Sequence, residues 1–190
     1  MVKTEIHIIG LGNLGSAFLE GFTSFDENYL IKVYELNNDV LEIYKNKYPE
    51  YKYHTNLDEV KSGVLILCVK PQTINKIFDQ IKYTIHEDVL ICSPIAGLDI
   101  DHISKLINNK IIRIMPNLLI RNNKGFIPYS KNYDDDYLDF IQLTLNNLGD
   151  TKEFSEKYFP VITALSGSGP AWFFALSNEL VKAGNKLGLS

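Results

Sequence analysis

Cysteine is scarce in this chain: two among 190 residues, Cys68 and Cys92. Each sits inside an apolar, strand-like run, without a C-x-x-C partner or metal-ligand spacing. That excludes a disulfide scaffold and a zinc site of the usual kind, and leaves buried reduced thiols as the expectation. Positive charge is also in deficit. Lys and Arg number 19 against 23 Asp and Glu, a net charge of −4 with no basic cluster, which argues against a nucleic-acid partner. No uninterrupted apolar run approaches a membrane span, and the opening M-V-K-T-E-I moves almost directly into a strand with no signal segment before it. The expectation is a cytoplasmic protein with no membrane partner. The four histidines, His7, His54, His86 and His102, are scattered, and are read as surface or packing residues rather than acids. No Ser/His/Asp set and no metal site is found. What remains is ordinary globular material, 45% hydrophobic and 22% charged, enough for one large domain or one domain and part of a second.

The informative stretch is Ile6–Gly15, I-H-I-I-G-L-G-N-L-G. A β-branched apolar run reads as a buried strand, and helical spacing resumes at Ala17, Leu19 and Phe22. Between them lies G-x-G-x-x-G, a strand before it and a helix after it. Gly10 permits the tight turn, and Gly12 lets a pyrophosphate approach the backbone. Gly15 lets the helix pack closely on the strand. Leu11, Asn13 and Leu14 fill the loop, and the helix N-terminus offers N–H groups and a partial positive charge to phosphates. Ile31–Glu35 reads as the next strand. Glu35 lies twenty residues past Gly15, where a carboxylate accepts hydrogen bonds from an adenosine ribose. The alternative is a structural turn with no ligand.

The rest of the chain alternates. Asn37–Tyr48 has a helical stripe capped by Asn37 or Asn38. Tyr51–His54 reads as a short strand, Asn56–Lys61 as one or two helical turns, and Val64–Val69 as a strand covered on both faces. A helix follows at Thr73–Tyr83, a strand at Val89–Cys92, a helix at Ile100–Ile107 capped by Asp99, and strands at Ile111–Met115, Gly125–Tyr129 and Asp150–Phe154. The acidic run Asp134-Asp135-Asp136 is read as a helix N-terminus before Leu138, Ile141 and Leu145, not as a metal site. Past Phe154 the pattern turns helical, with S-G-S-G-P at Ser166–Pro170 leading into Ala171–Leu187, whose first turns are apolar nearly all round. The fold class expected is α/β: a doubly wound, Rossmann-type sheet over 1–155, followed by the first helices of an all-α domain over 156–190.

Taken together, G-L-G-N-L-G at Gly10–Gly15, C-V-K-P-Q at Cys68–Gln72, P-I-A-G at Pro94–Gly97, R-I-M-P-N at Arg113–Asn117 and T-A-L-S-G-S-G-P-A-W-F-F at Thr163–Phe174 resemble the pyrroline-5-carboxylate reductase family. The resemblance implies hydride transfer from NAD(P)H to the ring imine of a small imino acid, forming L-proline, with the protonated iminium as the natural acceptor and alignment as the protein's main contribution. It implies that Val69, Lys70, Pro71, Ala96 and Gly97 line the cofactor's ribose and nicotinamide, and that Asn56 lies near the adenine-side ribose. Lys70, Asn117 and Ser168 are the candidates for the reacting end. Ser168 and Gly169 are expected to offer N–H and hydroxyl donors at a helix start. The bland readings are a solvated Lys70 and a Ser168 that only caps. Where the family usually carries Thr-Pro or a similar pair after M-P-N, this chain has Leu118-Leu119, placing apolar bulk near the expected nicotinamide end. Glu35 replaces the small polar residue of NADPH-preferring members, so NADH is the favoured cofactor, although Asn37 and Asn38 could still donate to a phosphate. The family continues for further helices, with a Pro-Gly-Gly-Thr loop holding the substrate carboxylate and a bundle making the dimer. These 190 residues alone are therefore expected to bind dinucleotide and reduce substrate poorly, and to form a homo-oligomer through the C-terminal helical region. The competing hypothesis is a non-catalytic dinucleotide-binding or interaction protein derived from such a reductase.

Overall fold

A computed structural model describes residues 3–57, 59–134 and 140–189. Eight strands form one sheet in the order β3-β2-β1-β4-β5-β6-β7-β8. They are β1 (Thr4–Ile9), β2 (Tyr29–Tyr34), β3 (Lys52–His54), β4 (Val64–Leu67), β5 (Leu90–Ser93), β6 (Ile111–Ile114), β7 (Gly125–Lys131) and β8 (Gly149–Glu153). All neighbours run parallel except β6 and β7. The order reverses between β1 and β4, so the chain winds outward in both directions from that pair, as a doubly wound sheet does.

The helices cover the sheet as the strand alternation requires. Ile6 and Ile8 of β1, Val33 of β2 and Ile66 of β4 face α1 (Asn13–Phe22), which buries Ala17, Phe18, Leu19 and Phe22 against them. α2 (Asn38–Lys47) is capped by Asn37, whose side chain accepts the N–H groups of Asp39 and Val40. Ile9, Leu65, Leu67 and Ile91 face the other way, onto Ile74, Phe78 and Ile81 of α3 (Ile74–Thr84) and Ile100 and Ile103 of α4 (Ile100–Ser104). Each fully buried Phe or Ile contributes about 2 kcal/mol, and β4, buried at all four positions, has no solvent face at all.

Asn56–Lys61 is not helical among its described residues; Val60 instead forms a single parallel bridge with Ile85. The backbone N–H of Val60 is used by Thr84 across that bridge, so the segment stays extended. The proposed helix start at Asp135 and Asp136 falls outside the described residues, while Phe140 leads into a π-helical turn, Ile141–Leu145, and α5 (Asn146–Leu148). The C-terminal region is one helical run, Glu156–Lys186, of 31 residues. It comprises a 3-10 turn (Glu156–Tyr158), α6 (Phe159–Ile162), a π turn (Thr163–Gly167) and α7 (Gly169–Lys186). By length and composition this run is apolar enough to cross a membrane, contrary to the expectation from uninterrupted runs. Scattered small and polar residues break its apolar stretches without lowering its average.

A polar row crosses the sheet beneath the carboxyl ends of β1 to β3. The Nδ1 of His7, a residue only 1% exposed, lies 3.1 Å from the Tyr34 hydroxyl, and the His54 ring stacks on Tyr34 with centroids 5.3 Å apart. Lys32 and Ser62 both donate to the Glu5 carboxylate. Burial tends to raise the Glu5 pKa, but Lys32, Ser62 and His7 together hold it below the usual value. Burial drives His7 down to about 4 despite the pull of Glu5. The folded protein therefore keeps His7 neutral where the unfolded chain, titrating near 6.5, takes up a proton. Stability attributable to His7 is intact above pH 6.5 and is lost as pH falls toward 4. Urea unfolding from pH 7 to 4 should show a fall of about 3 kcal/mol from this residue, and His7→Gln should flatten that slope.

Candidate functional site

The carboxyl ends of β1 and β4 meet at the point where strand order reverses, and there the chain leaves a cleft of about 290 Å³. Its walls are Ile9, Gly10 and Gly12 from β1 and the turn after it, Tyr34, Glu35 and Leu36 at the end of β2, Cys68, Val69 and Lys70 just past β4, and Thr73 and Ile77 where α3 begins. A smaller recess of about 40 Å³ continues from Glu35 past Thr55 and Leu57 to Gln80. Burial holds the Cys68 thiol well above its ordinary pKa, so the sulfur presents an inert apolar wall.

The turn is built by glycine for two distinct reasons. Gly10 has φ +93°, and a Cβ on Gly15 would lie 1.9 Å from the Gly10 carbonyl oxygen, so both positions demand the absence of a side chain. At Gly12 the reason differs. A Cβ there would meet nothing within 4 Å: the space is open, and what a side chain would fill is the approach to the backbone. Gly12 is also the N-cap of α1 and supplies no side-chain cap. The first N–H groups of α1 therefore lack the partner that Ser, Asp or Asn would provide, and stand available to an anion.

Glu35 faces this turn from across the cleft. Its Oε2 accepts the Leu11 N–H at 2.8 Å and its Oε1 accepts the Asn37 N–H at 2.9 Å. The carboxylate is thus held on both oxygens by backbone, with lone pairs to spare on each. Leu11, whose N–H is used this way, supports Glu35 rather than a phosphate. Open glycine, an uncapped helix and a carboxylate fixed against the turn form a cradle that fits a dinucleotide.

The structure gathers Gly10, Gly12, Glu35, Val69 and Lys70 around one cleft, with Asn13, Leu14 and Gly15 continuing into α1. Pro71 opens the short 3-10 turn before α3, and Ala96 and Gly97 form the loop after the neighbouring strand β5. Asn37 has its Oδ1 committed as the α2 cap, which leaves only its amide hydrogens for a ligand. Asn56 is exposed between Thr55 and Leu57, and these two neighbours line the recess while Asn56 does not. Asn117 is buried and caps the 3-10 turn Leu118–Asn122 by accepting the Leu119 N–H at 3.2 Å, which accounts for its side chain structurally. Leu118 and Leu119 themselves are exposed. Ser168 does not stand at a free helix start: its N–H donates to the Thr163 carbonyl at 2.9 Å within the continuous helix. Only its hydroxyl remains to meet a ligand. A π turn of this kind is a frequent companion of functional sites. Sequence reasoning missed Thr73 and Gln80, which lie four residues before and three after the partly buried Ile77 and line the cleft and its recess beside it.

Comparison with known proteins agrees with this geometry. Residues 5–97 match the family model described as NADP oxidoreductase coenzyme F420-dependent, and residues 156–190 match that described as pyrroline-5-carboxylate reductase dimerisation. The chain is 30% identical over 188 residues to a pyrroline-5-carboxylate reductase of Staphylococcus aureus, covering 95% of this chain and 69% of that protein. The crystal structure of Plasmodium falciparum pyrroline carboxylate reductase with NADP bound superposes with a TM-score of 0.81 at 27% identity, over 98% of this chain and 71% of that one. The Coxiella burnetii pyrroline-5-carboxylate reductase gives 0.81 at 27% identity, over 100% and 73%. With that extent of likeness, the chain belongs to the pyrroline-5-carboxylate reductase family.

Proposed function

We propose that the protein is an NAD(P)H-dependent pyrroline-5-carboxylate reductase, which reduces the ring C=N of a small imino acid to the secondary amine of proline. The observation that carries the reading is the uncapped, side-chain-free N-terminus of α1 at the point where strand order reverses, faced by a carboxylate already fixed in place. The N–H groups of Asn13, Leu14 and Gly15 hold the pyrophosphate, and Glu35 accepts from the adenosine ribose. The loops Val69-Lys70-Pro71 and Ala96-Gly97, at the ends of adjacent strands, line the other ribose and the nicotinamide. When bound, the dinucleotide supplies a hydride. The acceptor is the protonated iminium, whose carbon gains the hydride and whose nitrogen already holds its proton, so the product amine forms neutral and the step asks for no acid from the chain. What the chain contributes is alignment and exclusion of water. In this reading the Ser168 hydroxyl, beside the π turn, bonds the substrate carboxylate or the carboxamide.

The helical region 156–190 forms a unit of its own in this reading and makes a homo-oligomer. Trp172, Phe173, Phe174, Leu176, Leu180 and Val181 are each at least 59% exposed. That is far more apolar surface than a water-facing helix carries, and a second copy of the chain would cover it.

Glu35 sets the cofactor preference toward NADH. Among the described residues no Lys or Arg pairs with it, and a 2′-phosphate would meet its carboxylate as like charge. NADH should bind at least about tenfold tighter than NADPH, or about 1.4 kcal/mol, and Glu35→Ser should narrow or reverse the ratio; tighter NADPH binding by the unaltered protein refutes the assignment. Gly12→Val should abolish NADH binding by nucleotide fluorescence while shifting the urea midpoint little, because the added carbon meets open space. Gly15→Ala, by contrast, should cost about 3 kcal/mol of stability through forced overpacking. The reaction itself is tested by NADH oxidation with pyrroline-5-carboxylate and by detection of proline. Tight NADH binding without turnover would instead identify a dinucleotide-binding protein that has left catalysis behind.

A further inference from the structure

The long C-terminal helical run is attached to the sheet through very little. From Thr163 to Leu189 no residue is buried, so among the described residues the attachment rests on Glu156, Phe159 and Ile162. Phe159 and Ile162 pack with Met115 and Phe154. Glu156 does something more specific. Its Oε1 accepts from Nη1 of Arg113, on β6, at 2.7 Å, and its two oxygens accept the N–H of Ile100, the first residue of α4, at 3.1 and 3.4 Å. The Arg113 side chain is 8% exposed, and its guanidinium lies 4.6 Å from the centre of the Phe159 ring. One carboxylate thus ties a central strand, a second helix and the base of the C-terminal run. One guanidinium is both its ion-pair partner and a stacking surface for the same run.

We infer that Arg113 and Glu156 are positioning residues, a clamp that sets the angle of the 156–186 helix on the sheet and through it the place of Ser168 relative to the strand-end loops. Geometry gives the clamp leverage. At 1.5 Å per residue, Ser168 stands about 18 Å along the run from Glu156, and a pivot of about 10° at the base carries it about 3 Å. Displacements of that size at a reacting centre cost two orders of magnitude or more in rate. The pair suits the task because Glu156 is held from two elements at once, by Nη1 of Arg113 and by the Ile100 N–H, while the guanidinium lies against the Phe159 ring, and a packed apolar contact alone tolerates rotation. Phe159 and Ile162 hold the helix on; Glu156 and Arg113 decide where it points. Neither touches the dinucleotide cleft, so cofactor affinity is independent of them.

The test uses Glu156→Gln, which keeps the side chain's shape and an acceptor for Ile100 but removes the charge, and Arg113→Lys, which keeps the charge but loses fork and ring contact. Helix orientation is read from the distance distribution between spin labels at Lys45→Cys and Lys182→Cys, with labelled protein diluted into excess unlabelled protein. The expected result is a cooperative thermal transition in each variant, an NADH dissociation constant within about twofold of the parent, a broadened label distance, and kcat on pyrroline-5-carboxylate lowered at least about tenfold. An unchanged distance distribution and kcat in the folded Glu156→Gln protein overturns the inference. So does loss of NADH affinity in step with kcat, or failure of both variants to fold, since either makes the pair ordinary structural support. The kinetic arm rests on the reductase reading; if the parent protein does not reduce the imine, that reading falls and the label distances alone decide the clamp.

Discussion

The close approach of Gly15 to the carbonyl of Gly10 is the contact on which the rest of this structure depends. A single added carbon would stand 1.9 Å from that oxygen. Because none is there, α1 begins immediately at the end of β1, and its axis points into the gap between β1 and β4. The packing of Phe18 and Phe22 on the sheet, the exposure of the α1 N-terminus and the reach of Glu35 to the Leu11 N–H all follow from it. Push the helix back by the width of a methyl group and the core loosens on one side while the cradle loses its backbone donors on the other. Fold and site share one constraint here, which is why the glycine turn reads so clearly in the sequence.

Among the described residues, two of the clusters that carry buried ionisable groups differ in kind. The row of Glu5, His7, Lys32 and Tyr34 lies within the sheet and is tied to it by neighbouring strands, so its groups have almost no freedom to reorganise. It stabilises the sheet only while His7 stays neutral. The Arg113–Glu156 pair joins elements that the backbone ladder does not connect. A buried pair of that sort gains little stability over an apolar one, since desolvation offsets much of the attraction. Its worth is directional.

Most of the architecture was legible because periodicity and punctuation agreed. Val64–Leu67 is apolar at every position and is covered on both faces; Asn37 and Asp99 cap the helices their positions suggested. Where reading failed, the missing information was tertiary. Asn56–Lys61 carries weak helical spacing, but Val60 finds a backbone partner at Ile85, which no local pattern reveals. Ser168 does hold the N-cap position of α7, as the Gly and Pro around it suggest, but a π turn runs directly into it and its N–H closes that turn on Thr163. Gly10, Gly12 and Glu35 were visible because their chemistry is tied to a fixed spacing. Thr73 and Gln80 were not, since a cleft wall made by a helix face looks in sequence like any helix face. Glu156 was invisible for a stronger reason: its partners lie 43 and 56 residues away on other elements.

The apolar residues of the C-terminal helix are unevenly distributed. Trp172, Phe173 and Phe174 crowd the first turns, whereas Asn178, Glu179, Lys182, Asn185 and Lys186 populate the second half, and Glu179 and Lys182 pair at 2.7 Å along one side. A helical bundle leaves that charged pair at a wet edge and buries the aromatic end. The aromatic end is also the end nearest the π turn and Ser168. A partner helix packed there would press on the segment that the clamp orients, so association and alignment of the reacting end would act on the same few residues.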